Sequence, residues 1–252
     1  MKVLVTFAVD AEFAPWRELR HFKKQSQGDT EFFSAIIEDT EVMVLLTGIA
    51  GKKAGVKTIE AICDGNIDVC ISSGLAGALK PEHGLSDILA ARRVEAPVGK
   101  LSVFCDESLV RLASGAGAKI AACFYSVDHV VSSAVEKQQL GETADAVEME
   151  SAEILRDAAA LGSRVIAIRG ISDASAEDLP LDLNRVTTDA GEVSIKSVLL
   201  QAARKPQSIP ALIRFGKQSK LAAERLSRFL DLYVSQVIRA EKVPIHGGVA
   251  AR

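Results

Sequence analysis

The sequence predicts an α/β protein in which helices cover both faces of a mixed, mostly parallel sheet. Short runs rich in Val and Ile recur along the chain, and stretches with helical spacing separate them. The runs are apolar at successive positions, which is typical of strands buried between two helical layers. Residues 32–38 and 41–48 flank Asp39-Thr40 and read as a hairpin, so one pair of strands is expected to be antiparallel.

The predicted elements alternate over most of the chain, as expected for parallel strands joined by helical crossovers. The predicted strands are 2–9, 32–38, 41–48, 67–74, 119–127 and 164–172, and the predicted helices are 51–64, 106–115, 134–141, 149–161 and 189–203.

The chain divides into a main domain over 1–203, a helical extension of the same domain over 204–242 and a flexible tail over 243–252. The extension carries nine Lys or Arg residues against three acidic residues. Such a basic amphipathic helix is compatible with a membrane surface or a partner. The ordinary interpretation is a terminal helix with a solvated basic face, packed through Leu221, Leu226, Phe229, Leu230 and Val234.

Composition excludes several classes of protein. A net charge of -3 gives no basic field for nucleic acid. Cys63, Cys70, Cys105 and Cys123 are too far apart for a zinc ribbon or a redox pair, so we expect reduced core thiols. No stretch has the features of a secretory signal or the apolar length of a membrane span, and we expect a cytoplasmic protein.

Two glycine-containing stretches lie where predicted strands end. "TGIAGKKAG" over 47–55 lacks the spacing of a phosphate-binding loop, and taken alone it is better interpreted as a plain tight turn. "SSGLAGAL" over 72–79 follows another apolar strand. Ligands in open α/β sheets bind at the carboxyl ends of strands, so together the two stretches indicate one shared crevice.

Acidic residues follow three further apolar runs. Asp173 follows the strand at 164–172, and Glu12 follows the first strand; a helix cap or a first-turn acid is the simple alternative for each. In "AVEMESAEI", Glu148 and Glu150 are either solvated acids or an edge that binds sugar hydroxyls, since a carboxylate can accept two hydrogen bonds from a diol.

Taken together, "AVDAE", "TGIAG", "SSGLAGAL", "VEMES" and "RGISDAS" occur in an order and at separations that resemble the nucleoside phosphorylase and nucleosidase superfamily. The resemblance covers residues 1 to about 180 and is strongest to the methylthioadenosine/S-adenosylhomocysteine nucleosidases. It implies a three-layer αβα sandwich, a homo-oligomer, no metal and no cofactor. It also implies hydrolysis of the N-glycosidic bond of a purine nucleoside.

The resemblance also implies roles for individual residues. Asp173 would be the general acid that protonates the purine, Glu12 would activate the attacking water, and Glu150 would hold the ribose hydroxyls with Met149 packing on the sugar. The remaining residues expected to line the site are Glu148, Ile49, Leu75, Ala76, Gly77, Val130 and Val131. Val130 and Leu75 stand where the family commonly has an aromatic and a hydroxyl residue, so the pocket is expected to be less polar.

Water is favoured over phosphate as the nucleophile, because neither glycine-containing stretch includes the arginine that a dianion requires. Alternatives remain open. The C-terminal part is similar to hopanoid-associated phosphorylases, which implies release of adenine from adenosylhopane; futalosine hydrolysis and a non-catalytic nucleoside-binding relative are the others. A neighbouring subunit is expected to contribute to the site through 92–112, with Pro97 and Phe104.

Overall fold

The computed structural model describes residues 1–27, 30–48, 66–96, 100–180 and 206–242. Two of the predicted helices, 51–64 and 189–203, lie outside the described residues, as does the whole predicted tail over 243–252. The strands are β1 (Val3–Phe7), β2 (Lys23–Gln27), β3 (Thr30–Ile37), β4 (Thr40–Leu46), β5 (Val69–Ala78), β6 (Ile88–Ala91), β7 (Arg93–Ala96), β8 (Leu101–Phe104), β9 (Lys119–Ala121), β10 (Phe124–Ser126), β11 (Ala146–Glu148) and β12 (Arg164–Asp173).

Helices in the described residues are α1 (Asp10–Arg20), α2 (Glu107–Gly115), α3 (Ala134–Leu140), α4 (Ser151–Ala160) and α5 (Ile209–Lys242). A single 3-10 turn, Pro206–Ser208, precedes α5. None of these helices is long and apolar enough to cross a membrane.

All the described strands join one mixed sheet, with the order β2-β3-β4-β1-β5-β11-β10-β7-β8. β12 pairs with β5 and with β6, and β6 pairs with β9. The expected hairpin is present: β3 and β4 are antiparallel, and Ile37 pairs with Thr40 across a turn in which Glu38 and Asp39 both have positive φ. The mixed α/β architecture predicted from the sequence is therefore confirmed.

Helices cover both faces of the sheet. Arg169 and Gly170 are neighbours in β12, so their side chains point to opposite faces. Arg169 bonds to Ser151 of α4, whereas a Cβ on Gly170 would lie 3.2 Å from the Ala222 carbonyl oxygen of α5. α4 and α5 therefore lie on opposite faces, and Gly170 allows α5 to approach the sheet closely.

Several sequence expectations are corrected. The predicted strand 119–127 is two strands, β9 and β10, because the Ala122 and Cys123 N–H groups turn away to donate to Asp145 Oδ2, at 2.8 and 3.0 Å. "SSGLAGAL" does not follow its strand: β5 continues through it to Ala78. Leu221 is not part of the packed face of α5, since 47% of it is exposed. The other four residues expected to pack α5 are buried: Leu226, Phe229, Leu230 and Val234.

Aromatic packing fixes α1 against the sheet and α5. The Phe13 ring lies 5.5 Å from that of Phe7 in β1, and Trp16 is fully buried. The Trp16 indole N–H donates to Asp231 of α5 at 3.3 Å, and Arg20 forms an ion pair with the same carboxylate. This packing holds the first turn of α1, and with it Glu12, at the end of β1.

Candidate active site

A large cavity opens at the carboxyl end of β5, between α1, α5 and the segments that follow β10, β11 and β12. Its volume is about 1140 Å³. The described residues that line it include three acids from distant parts of the chain, Glu12, Glu150 and Asp173. The sequence prediction that these carboxylates share one site is therefore consistent with where the fold places them.

Glu12 lies in the first turn of α1 and turns back toward the strand ends. Its Oε2 accepts from the N–H groups of Ala8 (3.1 Å) and Val9 (3.3 Å), and its Oε1 accepts from the Leu75 N–H (2.8 Å). Burial raises the pKa of Glu12 above 4.5, although the three N–H donors and the charge of Arg169 act in the opposite direction. The group is held in one orientation and can take up a proton more readily than an ordinary glutamate.

An opening in the sheet creates the place where Glu12 binds. β1 pairs with β5 as far as Ser72, and β11 pairs with the same strand from Gly77. Among the described strands, none pairs with residues 73–76 along this edge of β5, so the Leu75 N–H is free to donate to Glu12. Gly74 leaves room for the carboxylate, because a Cβ there would lie 2.9 Å from Glu12 Oε1, and its φ is +142°.

Asp173 is the last residue of β12 and pairs with Gly77 of β5, directly after a register shift between Ile171 and Asp173. Its Oδ1 accepts from the Ser172 hydroxyl at 2.7 Å. Gly77 is required at this position, since a Cβ would lie 2.9 Å from Asp173 Oδ2 and 3.3 Å from Val147 Cγ1. The residue is only 6% exposed and lines the cavity.

Lys137 of α3 contacts Asp173 but is not among the residues that line the cavity. Its ammonium donates to Asp173 Oδ2 at 2.5 Å and to the carbonyl oxygens of Ala174 (3.0 Å) and Glu177 (2.9 Å). Lys137 is completely buried. The end of α3 lies close to β5 because Gly141 lacks a side chain: a Cβ there would be 2.4 Å from the Leu79 carbonyl oxygen.

Glu148 lines the cavity, but its carboxylate is engaged below the cavity floor. It forms an ion pair with Arg169, and it accepts from Ser126 and from the Glu150 and Ser151 N–H groups at 3.1 and 2.9 Å. Burial opposes ionisation, yet the Arg169 charge and these hydrogen bonds outweigh it and lower the pKa of Glu148. Glu148 is a stable anion that positions the β11–α4 junction.

The Arg169 guanidinium is engaged in the same network of hydrogen bonds. One terminal nitrogen contacts Glu148, Ser72 Oγ (3.2 Å) and Ser151 Oγ (2.8 Å), and the other donates to the Ile168 carbonyl. The side chain is buried and does not line the cavity. The cationic side chains among the described lining residues are Lys220 and Arg228 of α5, both exposed, with His129.

The other residues expected at the site also line the cavity, apart from Ile49, which lies outside the described residues. Glu150 is buried and begins α4 as its cap residue, and Met149 is half-buried beside it. The remaining lining residues from the sequence prediction are Leu75, Ala76, Gly77, Val130 and Val131. Val130 and Val131 follow β10 and give this wall an apolar surface.

Sequence reasoning did not identify two features. Lys137 lies in "AVEKQQL", where nothing in the local pattern distinguishes it from a solvated helix lysine. The second feature is a helical arm of the cavity, formed by residues of α1 and the first half of α5. The arm is lined by Ala11, Ala14, Pro15, Glu18, Leu19, Phe215, Gly216, Ser219 and Lys220.

Comparison with known proteins identifies the family. A sequence model of the phosphorylase superfamily matches residues 2–204. The chain belongs to the phosphorylase superfamily. Within this superfamily, its fold is similar to that of several solved structures at low sequence identity.

One similar structure is the native futalosine hydrolase of Helicobacter pylori, with a TM-score of 0.72, 21% identity and coverage of 94% of this chain and 98% of that one. Campylobacter jejuni 5′-methylthioadenosine/S-adenosyl homocysteine nucleosidase matches with a TM-score of 0.71 and 19% identity, covering 94% and 99%. A third similar structure is the Helicobacter pylori 5′-methylthioadenosine/S-adenosylhomocysteine nucleosidase bound to butyl-thio-DADMe-Immucillin-A. Its TM-score is 0.73 and its identity 21%, with coverage of 94% of this chain and 98% of that one.

Proposed function

We propose that this phosphorylase-superfamily protein hydrolyses the N-glycosidic bond of a purine nucleoside such as methylthioadenosine or S-adenosylhomocysteine. The observation that supports this most strongly is the convergence of Glu12, Glu150 and Asp173 on one cavity. Glycosidic cleavage passes through an oxocarbenium-like state and needs an acid at the leaving group and a carboxylate on the side of the nucleophile.

The spacing of the carboxylates fits that division of roles. Glu12 lies against Gly74 and Asp173 lies against Gly77, three residues further along β5. At about 3.3 Å per residue the two contact points are roughly 10 Å apart, which leaves room for a ribose between them. Asp173 protonates the purine as the bond to C1′ breaks, and Glu12 takes a proton from the attacking water. Glu150 accepts hydrogen bonds from the ribose hydroxyls.

Water is the proposed nucleophile because none of the described strands contributes a cationic side chain to the cavity. Phosphate requires charged, preferably bidentate donors. Arg169 is buried and engaged with Glu148, and Lys220 and Arg228 are exposed residues of α5. His129 is paired with Asp128 and Glu136. A phosphate dianion would also lie near the anionic Glu12.

The nature of the nucleophile is tested by supplying nucleosides with and without inorganic phosphate and identifying the sugar product. Hydrolysis gives free ribose, or its 5′-substituted form, at a rate that phosphate does not change. Phosphate-dependent turnover with formation of a sugar 1-phosphate, detected by ³¹P NMR, would instead assign a phosphorylase.

A second candidate function follows from the size and lining of the helical arm. Cavities for drug-sized ligands are about 300–1,000 Å³, and this one is about 1140 Å³. The arm is largely apolar, with Pro15, Leu19 and Phe215 on its walls. Such a site suits a nucleoside with a large apolar 5′ substituent, such as adenosylhopane.

The candidate functions can be distinguished by substrate preference. Methylthioadenosine, S-adenosylhomocysteine, futalosine and detergent-dispersed adenosylhopane are compared by kcat/KM for release of free base. Preference for adenosylhopane supports the second candidate, and Phe215→Ser would then reduce that preference without a matching effect on methylthioadenosine. Binding of nucleosides without turnover of any of them would indicate a non-catalytic relative.

A further inference from the structure

The contact between Lys137 and Asp173 raises a chemical difficulty for the proposed function. A carboxyl group that delivers a proton must hold one, but the Asp173 carboxylate accepts a hydrogen bond from a buried ammonium at 2.5 Å. The Ser172 hydroxyl donates a hydrogen bond to the other carboxylate oxygen, Oδ1, at 2.7 Å. Both carboxylate oxygens of Asp173 therefore accept hydrogen bonds from neighbouring side chains.

The acceptors around Lys137 allow every hydrogen bond to be formed in two arrangements of the protons. An ammonium has three N–H donors, and here each has one acceptor: Asp173 Oδ2, the Ala174 carbonyl and the Glu177 carbonyl. If one proton moves to Asp173, the neutral amine keeps two N–H donors for the two carbonyls. Its lone pair then accepts from the new Asp173 hydroxyl, so no hydrogen bond is lost.

We propose that Lys137 and Asp173 form a proton-sharing pair, in which Lys137 is the positioning residue that supplies Asp173 with the proton passed to the base. This inference rests on the proposed function. In this proposal a fully buried lysine helps the leaving group to depart. Lys137 lies 36 residues from Asp173 in the sequence.

The step conserves atoms and electrons. The Nζ–H bond of Lys137 breaks as Asp173 gains the proton, and the Asp173 O–H bond breaks as the N7–H bond of the purine forms. The electrons of the C1′–N9 bond go to the base. Water adds its oxygen to C1′ and gives a proton to Glu12. After the products leave, Glu12 releases that proton to solvent and the Lys137–Asp173 pair takes one up from solvent, so no net proton is gained or lost. Nothing is oxidised or reduced.

The test uses two substrates that differ in the need for a proton at the leaving group. A purine nucleoside needs protonation of the base, whereas 4-nitrophenyl riboside releases a stable phenolate without it. Lys137→Met is expected to lower kcat on the purine nucleoside by about 10²- to 10⁴-fold, the usual range for lost acid catalysis. The same variant should change kcat on 4-nitrophenyl riboside by less than about tenfold.

Arg169→Met is the matched control, because it also removes the cation of a buried ion pair at the site but breaks no proton path. It should slow both substrates by similar factors. Equal losses on both substrates in Lys137→Met, or an unchanged rate on the purine nucleoside, would overturn the proton-sharing pair. Failure of the wild-type protein to release base from any nucleoside would instead contradict the proposed function.

A measurement on the wild-type protein keeps the inference testable if Lys137→Met does not fold. Rates on the purine nucleoside are recorded in mixtures of H₂O and D₂O. Coupled movement of two protons, one from Lys137 and one from Asp173, predicts a curved dependence of kcat on the deuterium fraction. A linear dependence, or none, would contradict the proposal.

Discussion

Asp173 and Glu12 lie at opposite ends of the open edge of β5, and each has a distinct set of partners. Glu12 is surrounded by backbone N–H donors, whereas Asp173 contacts a hydroxyl and a buried ammonium. The first environment orients a base, and the second can supply a proton. At the scale of single residues, these environments separate the two proposed roles.

Removal of the Asp173 charge tests both its role as the acid and its ion pair with Lys137. Asp173→Asn should reduce base release by about 10²- to 10⁴-fold. It also leaves the Lys137 ammonium buried without an anion, which should lower the free energy of unfolding by about 3–5 kcal/mol. The double variant Asp173→Asn/Lys137→Met should recover much of that stability in urea unfolding but none of the activity. Recovery of activity as well would contradict the assignment of Asp173.

The pH dependence of hydrolysis reports the proposed role of Glu12. A base must be ionised, and burial raises the pKa of Glu12 above 4.5. As the pH falls through this raised value, Glu12 becomes protonated, so the acid limb of kcat/KM should lie above pH 4.5. His129 also lines the cavity, and hydrogen bonds to Asp128 and Glu136 raise its pKa above 6.5. Profiles of the wild type and His129→Gln should therefore be compared; an acid limb below pH 4.5 in both would contradict the role of Glu12.

At the scale of elements, β5 organises the site because its two ends have different partners. The gap between the β1 pairing and the β11 pairing exposes the Leu75 N–H, and the glycines on either side make space for the two acids. β5 therefore forms the floor of the cavity and is also part of the core.

Gly77→Ala tests this close packing. The new Cβ would lie 2.9 Å from Asp173 Oδ2 and should displace that carboxylate, lowering kcat by at least tenfold. Gly115→Ala is the control, since a Cβ at the end of α2 has no neighbour within 4 Å, and its kinetics should match the wild type. Unchanged kcat in Gly77→Ala, measured with the melting temperature of both variants, would show that Asp173 does not depend on this spacing.

The sequence predicted the apolar strands well but missed a polar strand and a very short one. β1, β4 and β12 are continuous apolar runs, whose burial between helices leaves a clear pattern. β2, "KKQSQ", is polar and pairs only with β3, so its backbone hydrogen bonds define it and its composition does not. β11 has three residues and is held by its neighbours in the sheet.

The candidate site shows the same limit. Glu12, Glu150 and Asp173 could be predicted because each occurs at a strand end within a recognisable motif. Lys137 could not, because its burial depends on segment 174–177 folding back over α3. The engagement of Glu148 by Arg169 also requires contacts between elements distant in the sequence.

At the scale of the whole molecule, one large core supports the sheet, and a smaller apolar cluster that includes Val131 and Val147 supports one wall of the cavity. α4 and α5 cover opposite faces of β12, and α1 packs against α5 through Trp16 and Asp231. Cys70, Cys105 and Cys123 are free and buried, which confirms the expectation of reduced core thiols for the described cysteines; Cys63 lies outside the described residues.

Burial of these thiols predicts low reactivity in the native protein. Burial raises the pKa of Cys70 and of Cys105 to about 12, so neither forms a thiolate near neutral pH. Neither should be alkylated by iodoacetamide in native buffer, and both should react fully in denaturant, as measured by peptide mass spectrometry. Rapid native labelling of Cys70 would indicate that the centre of the sheet opens.

The most direct test of the account is release of free adenine from methylthioadenosine in phosphate-free buffer, followed by chromatography for the wild type and Asp173→Asn. Hydrolysis at one cavity predicts steady adenine release by the wild type and a loss of at least about 10²-fold in the variant. Equal release by both proteins would contradict Asp173 as the acid, and no release by the wild type from any nucleoside tested would contradict the glycosidic chemistry itself.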